Sequence, residues 1–190
     1  MKKIFIKITK NKLATGFTLV EALVAISILM ISIAAPMTIA QNGLSTALFA
    51  REEMIAQFLA QDALEYVKYV RDNNAFPEDE ITPADWWLAG LEDCTGEYGC
   101  EIDTINNDIN QLNSDSESNP LRFNDSLKTY SYDNNMPVSN FARKMKINVD
   151  TAKTDESGIY YKASANVVVT WKNKNTVVPY ELNTNIFNIR

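Results

Sequence analysis

The sequence predicts an α+β fold in which one long N-terminal helix packs on an antiparallel β-sheet, with a loop-rich segment between them. Three observations carry that prediction. Residues 17–40 form an apolar run with a single charge, Glu21; residues 44–70 space apolar side chains as one helical face; and residues 145–186 alternate apolar and polar side chains with a period of two. The 190 residues leave room for one membrane element and one modest globular domain, since a domain commonly takes about 100 to 150 residues.

Residues 1–16 read as a leader. They hold Lys2, Lys3, Lys7, Lys10 and Lys12, contain no acid, and end in Gly16. Residues 17–40 follow as the transmembrane half of the helix, because about 20 apolar residues cross a bilayer core. Lysines upstream and none within the run place the N-terminus in the cytoplasm and the rest of the chain outside. A charge at the centre of a membrane helix costs about 2.5 to 3.5 kcal/mol on insertion scales. Glu21 therefore needs a partner or a task. A secretory signal cut after Ala40 would suit the small residues Thr38 and Ala40, but its apolar core is usually only about 7 to 15 residues long. A permanent single-pass anchor accounts for the length and leaves Glu21 and the Gly16–Phe17 junction unexplained.

Residues 41–74 continue the helix as an amphipathic half. Leu48, Ile55, Leu59, Ala63, Tyr66 and Val70 recur at helical steps, with Arg51, Glu52, Glu53, Gln57, Gln61, Asp62, Glu65 and Lys68 between them. The helix is expected from Phe17 to about Asp72, ending at "DNN" before Pro77. Pro36 should kink or locally melt it, having no N–H and clashing with the turn before; Gly43 is a second soft point.

Residues 75–142 read as irregular, rich in Asn, Asp, Ser and Pro, with short helical or strand pieces expected among the turns. Cys94 and Cys100 stand six apart in "DCTGEYGC". On the outward, oxidising side a disulfide closing a small loop is the favoured reading, contributing about 2 to 3 kcal/mol at most. A zinc site would want further Cys or His. Trp86 and Trp87 read as local core rather than an exposed contact or sugar-stacking patch. The Asp and Asn clusters match no twelve-residue calcium loop and read as solvated.

Residues 143–190 carry the sheet. Met145, Ile147 and Val149 share a face; Ile159, Tyr161, Ala163, Ala165, Val167, Val169 and Trp171 share another; "KNKN" at 172–175 is a turn; Val178, Tyr180, Leu182, Thr184 and Ile186 complete the pattern. A meander of three or four strands, one face on the helix, is expected.

Composition narrows the function. The chain contains no His, which removes the commonest general base and metal ligand, and no serine sits in a G-x-S-x-G setting. No enzyme activity, cofactor or metal is expected. From Asp72 to Asp125 there are fourteen acids against one base, Arg122. That stretch should repel nucleic acid, which is bound through Lys and Arg. The remaining bases lie mostly after Ala142 and form a weak tilt rather than a patch.

The lysine leader ending in glycine, followed by "FTLVEALVAISILMISIA" at residues 17–34, resembles the class III signal of type IV prepilins and type II secretion pseudopilins. The resemblance implies a pilin-like fold. It also implies cleavage between Gly16 and Phe17 by a membrane-embedded aspartyl prepilin peptidase, N-methylation of Phe17 by the same enzyme, and a part in assembly for Glu21, fifth in the cut chain. The implied partners are that peptidase, other pilin or pseudopilin subunits, an inner-membrane assembly platform, and lipid before assembly. Near the C-terminus "VVVTWKNKNTVVPYELNTNI" is similar, more loosely, to the last hairpin of minor pilins and I-type minor pseudopilins, which favours a minor subunit.

Elementary electrostatics agrees with the resemblance. Before cutting, residue 17 offers a neutral amide; afterwards it offers an α-amine with an ordinary pKa of about 7.7 to 8.0. That cation can pair with the Glu21 carboxylate of the same or a neighbouring chain as helices bundle. The expected function is thus a filament subunit, held first in the cytoplasmic membrane with its head outward and then in an extracytoplasmic filament. The alternative is a single-pass anchored, adhesin-like binding protein. Adhesion, twitching, DNA uptake and protein secretion all use subunits of this plan.

Overall fold

Leu19 opens the first helix because the residue before it caps the turn. In the computed structural model, which describes residues 16–74, 86–113, 118–152, 154, 158 and 160–188, Thr18 Oγ1 accepts from Glu21 N–H at 3.2 Å and Thr18 C=O accepts from Ala22 N–H at 3.1 Å. Helix α1 runs Leu19–Asn73, starting two residues later than expected because Gly16, Phe17 and Thr18 remain non-helical. The helix is unbroken through Pro36 and Gly43. Local melting at the proline is therefore not observed. The leader lysines and Pro77 lie outside the described residues.

The chain divides into two units, residues 1–47 and 48–190. In the first, the described side chains of α1 are almost all exposed and mostly apolar. Its few hydroxyls are turned back on their own helix: Ser27 donates to Leu23 O, Ser32 to Leu29 O, Thr38 to Ala34 O and Thr46 to Asn42 O, all within 3.1 Å. A hydroxyl satisfied within its own helix needs no water, which is what an apolar surrounding demands.

In the second unit, α1 from Leu48 onward packs on a seven-stranded antiparallel sheet. Its buried stripe is Ala56, Leu59, Ala60, Ala63, Leu64 and Val67. This stripe is rotated from the expected face: Leu48 is half exposed, and three alanines occupy the centre, where small side chains let the sheet approach. Ile55, Tyr66 and Val70 pack at its margin.

Three long strands form the body of the sheet: β5 Val138–Val149, β6 Lys162–Asn173 and β7 Thr176–Phe187. Registers such as Met145↔Val167 and Val167↔Leu182 align the inward residues of all three. Phe141, Met145, Ile147, Ala163, Ala165, Val167, Val169, Trp171 and Ile186 are buried, as the period of two predicts. Tyr161 precedes β6, and Ile159 lies outside the described residues. The turn narrows to Lys174 and Asn175 between Asn173 and Thr176, with Lys174 at φ 56°.

The loop-rich segment contributes four short strands: β1 Cys100–Asp103, β2 Asp108–Gln111, β3 Pro120–Asn124 and β4 Thr129–Ser131. They form two hairpins that share the second edge of β5: β3 pairs with it at Val138 and Ala142, β1 at Met145. The sheet is thus larger than the expected meander. Strands of three to five residues are too short to show a period.

Candidate functional site

Two places carry the residues singled out in the sequence, the start of α1 and the disulfide loop, and a third, a buried polar cluster, was not foreseen. At the start of α1, Gly16 and Phe17 are exposed and non-helical, so the peptide bond between them lies outside the helix. A Cβ added to Gly16 would meet nothing within 4 Å. The fold itself therefore places no demand for glycine there. Thr18 and Glu21 have the T-x-x-E spacing of a capping box, a signal legible in "TLVE". The half in which Thr18 accepts from Glu21 N–H is formed. Glu21 is exposed in the first turn, where unpaired N–H groups and the helix dipole favour an anion.

At the disulfide loop, the short helix α2 Glu92–Thr95 delivers Cys94 to Cys100 at the head of β1; the two are bonded, with Cα atoms 4.6 Å apart, and both are buried. Gly99 makes the entry into β1 possible. Its φ is +77°, and a Cβ there would come within 2.1 Å of Met145 O on β5. Trp87 is fully buried in the adjoining core, and the Trp86 side chain lies outside the described residues.

The polar cluster joins helix, sheet and hairpins. Arg143, on the inward face of β5, is buried among apolar side chains. Its Nη1 donates to Leu59 O and Asp62 Oδ2, both at 2.8 Å, and its Nη2 donates to Ile102 O, so one guanidinium grips α1 and β1 together. Asp62 also accepts from Thr104 Oγ1 at 2.7 Å. Asp103 is buried on β1 and accepts from Ile105 N–H, Asn106 N–H, Asn106 Nδ2, Ser131 Oγ and Tyr132 N–H. Burial pushes its pKa up, but the bonds from Tyr132, Ser131 and Asn106 more than offset this, so its carboxyl is held below the ordinary value. Glu101, two residues earlier, accepts from the backbone and side chain of Asn119. Tyr132 donates to Arg143 O at 3.0 Å, and burial raises its phenol well above the usual range. These groups spend most of their polar atoms on one another and on nearby backbone, leaving Arg143 Nε buried without a partner among the described residues. Among the described residues no group of three or more Cys, Asp or Glu is placed to hold a metal ion.

Residues 11–35 match the family model described as the prokaryotic N-terminal methylation motif, the class III prepilin signal of type IV pilins and pseudopilins. No curated protein and no solved structure matches the chain. Among the described residues α1 alone is long and apolar enough to cross a membrane, its most apolar window having a mean hydropathy of 2.3.

Proposed function

We propose that the chain is a structural, non-catalytic subunit of a type IV pilus-like or pseudopilus filament, and that it is a minor one. The match of residues 11–35 to the N-terminal methylation motif carries the reading. The start of α1 supports it. A peptidase needs an extended, accessible peptide, and Gly16–Phe17 is non-helical and exposed. In this reading residues 1–16 are removed by the prepilin peptidase at the cytoplasmic face, Phe17 is N-methylated, and the new amine pairs with Glu21 as helices leave lipid for the filament. The head faces outward, where the Cys94–Cys100 bond is stable. The looser likeness of residues 167–186 to minor pilins and I-type pseudopilins favours a minor subunit.

Intact-mass measurement of the protein purified from membranes of cells holding a prepilin peptidase tests this directly. The expected mass lacks residues 1–16 and carries one added methyl. A chain that keeps its leader in such cells would instead be a permanently anchored, adhesin-like binding protein. Gly16→Val should block the cut while leaving the head's unfolding midpoint unchanged, because the added side chain meets nothing in the fold.

A further inference from the structure

We propose that the face of the sheet turned away from α1 is a docking groove for an extended acidic segment of a partner protein, one with carboxylates on alternate residues. The groove has a volume of about 790 Å³ and lies over β5 and β6, with Tyr98 and Pro120 on the β5 side and Val177 on the β7 side. Its cations are Lys144 and Lys146 on β5 and Lys172 at the end of β6. Among the described residues the ion pairs involve Arg71, Lys128 and Arg143, and none of these three lysines. Lys146 Nζ donates to Glu97 O, and among the described residues the ammonium groups of Lys144 and Lys172 are in no ion pair.

Geometry selects the ligand. Lys144 and Lys146 are two apart on one strand face, about 6.6 to 6.8 Å along the chain. An extended peptide repeats its own side chains at the same pitch, so carboxylates at alternate positions meet both lysines while the intervening side chains point away. The register places Lys144 opposite Val168 and Lys146 opposite Asn166, and Lys172 lies four residues beyond Val168, about 13 Å further along. The three cations thus form a row. Val168 and Val177 give the floor apolar surface for the methylenes of Glu side chains. Charge fits locally, since among the described residues none of the three lysines is in an ion pair. Glu97 at the groove and Glu181 opposite Val168 set acids at its margin, so a ligand's anions must fall on the lysine row and not beside it. The proposal does not rest on the filament reading and holds for a permanently anchored chain as well.

The test uses the full chain in detergent and a fluorescein-labelled octapeptide alternating Glu with Val or Thr, followed by anisotropy. Saturable binding is expected, weakening as salt rises from about 50 to about 300 mM, and at least about tenfold weaker in the K144Q/K146Q double variant. K172Q should weaken it severalfold, and Lys68→Gln, exposed on α1, should leave it unchanged. Equal urea midpoints for these variants show that the loss is one of charge and not of fold. A wild-type comparison needs no variant: the same residues with the glutamates in one block should bind less tightly. The proposal is overturned by absence of saturable binding, by equal binding of the block peptide, by an undiminished double variant, or by tighter binding of oligodeoxythymidylate or oligogalacturonate.

Discussion

Asp103 shows how much of this head depends on single charged groups that a sequence reading passes over. In the sequence it is one acid among fourteen between Asp72 and Asp125, a stretch that reads as solvated. In the fold it is a buried carboxylate that accepts from the β1–β2 turn and from the end of β4, so it ties the two hairpins together. Arg143 is a parallel case, an inward cation on a strand whose other inward residues are apolar. Nothing local in "FARKMKINV" distinguishes Arg143 from Lys144, which faces the other way; only strand parity does. The lowered pKa of Asp103 has a signed consequence. Unfolded, the group titrates near 3.9; folded, it titrates lower. Its contribution is therefore complete above about pH 4 and is lost as pH falls through the folded value. Asp103→Asn should cost about 2 to 4 kcal/mol near neutral pH, because an amide cannot accept from the same set of donors. The gap to wild type, read from urea midpoints, should narrow between about pH 4 and pH 2. A gap constant over that range would remove Asp103 from the acid limb of stability.

Among elements, legibility followed length. The twelve-residue strands β5, β6 and β7 were visible because several periods of alternation fit in each, and the head part of α1 because apolar residues recur over about six helical turns from Leu48 to Val70. Ala56 and Ala60 fall outside the face read from the sequence, which does include the buried Leu59 and Ala63, because larger neighbours carry more apolar weight than the small residues the sheet rests on. The hairpins β1–β2 and β3–β4 are expected from the sequence only as short pieces without positions: their pairing is fixed by turns, by two buried acids and by one glycine rather than by apolar alternation. Gly99 and Gly90 separate two costs that are usually confounded. Both have positive φ, +77° and +84°, but a Cβ at Gly90 meets open space while one at Gly99 meets Met145 O on β5. Gly90→Ala should therefore cost only the backbone penalty, about 1 kcal/mol. Gly99→Ala should cost about 2 to 4 kcal/mol, since the β1 entry must also shift off β5. Urea unfolding with the disulfide intact measures both. Equal costs would mean that the approach of Gly99 to β5 is not tight in solution.

At the scale of the molecule, two units of opposite character share one helix. Residues 48–190 have a core of their own, whereas the described part of residues 1–47 exposes Leu19, Val20, Leu23, Ile28, Ile31 and Ile39. Apolar surface of that extent needs cover, and in the filament reading proposed above it is covered by lipid before assembly and by neighbouring helices afterwards. Those two surroundings treat Glu21 differently. In lipid the first turn of α1 offers the carboxylate its unpaired N–H groups and the head-group boundary. In a bundle of helices it must find a cation, and the amine created at Phe17 is the one that the proposed cut supplies. Glu21→Ala should accordingly leave the cut and the methylation intact, because Gly16 and Phe17 lie outside the helix and Thr18 still caps it through the backbone N–H of residue 21. It should lower incorporation into sheared filaments at least about tenfold, since an amine buried without its partner costs about 3 to 5 kcal/mol. Intact mass reads the first outcome, and the ratio of filament to membrane protein on an immunoblot reads the second. A cut, methylated and fully incorporated Glu21→Ala chain would mean that the amine finds another anion; an uncut one would place Glu21 in peptidase recognition instead.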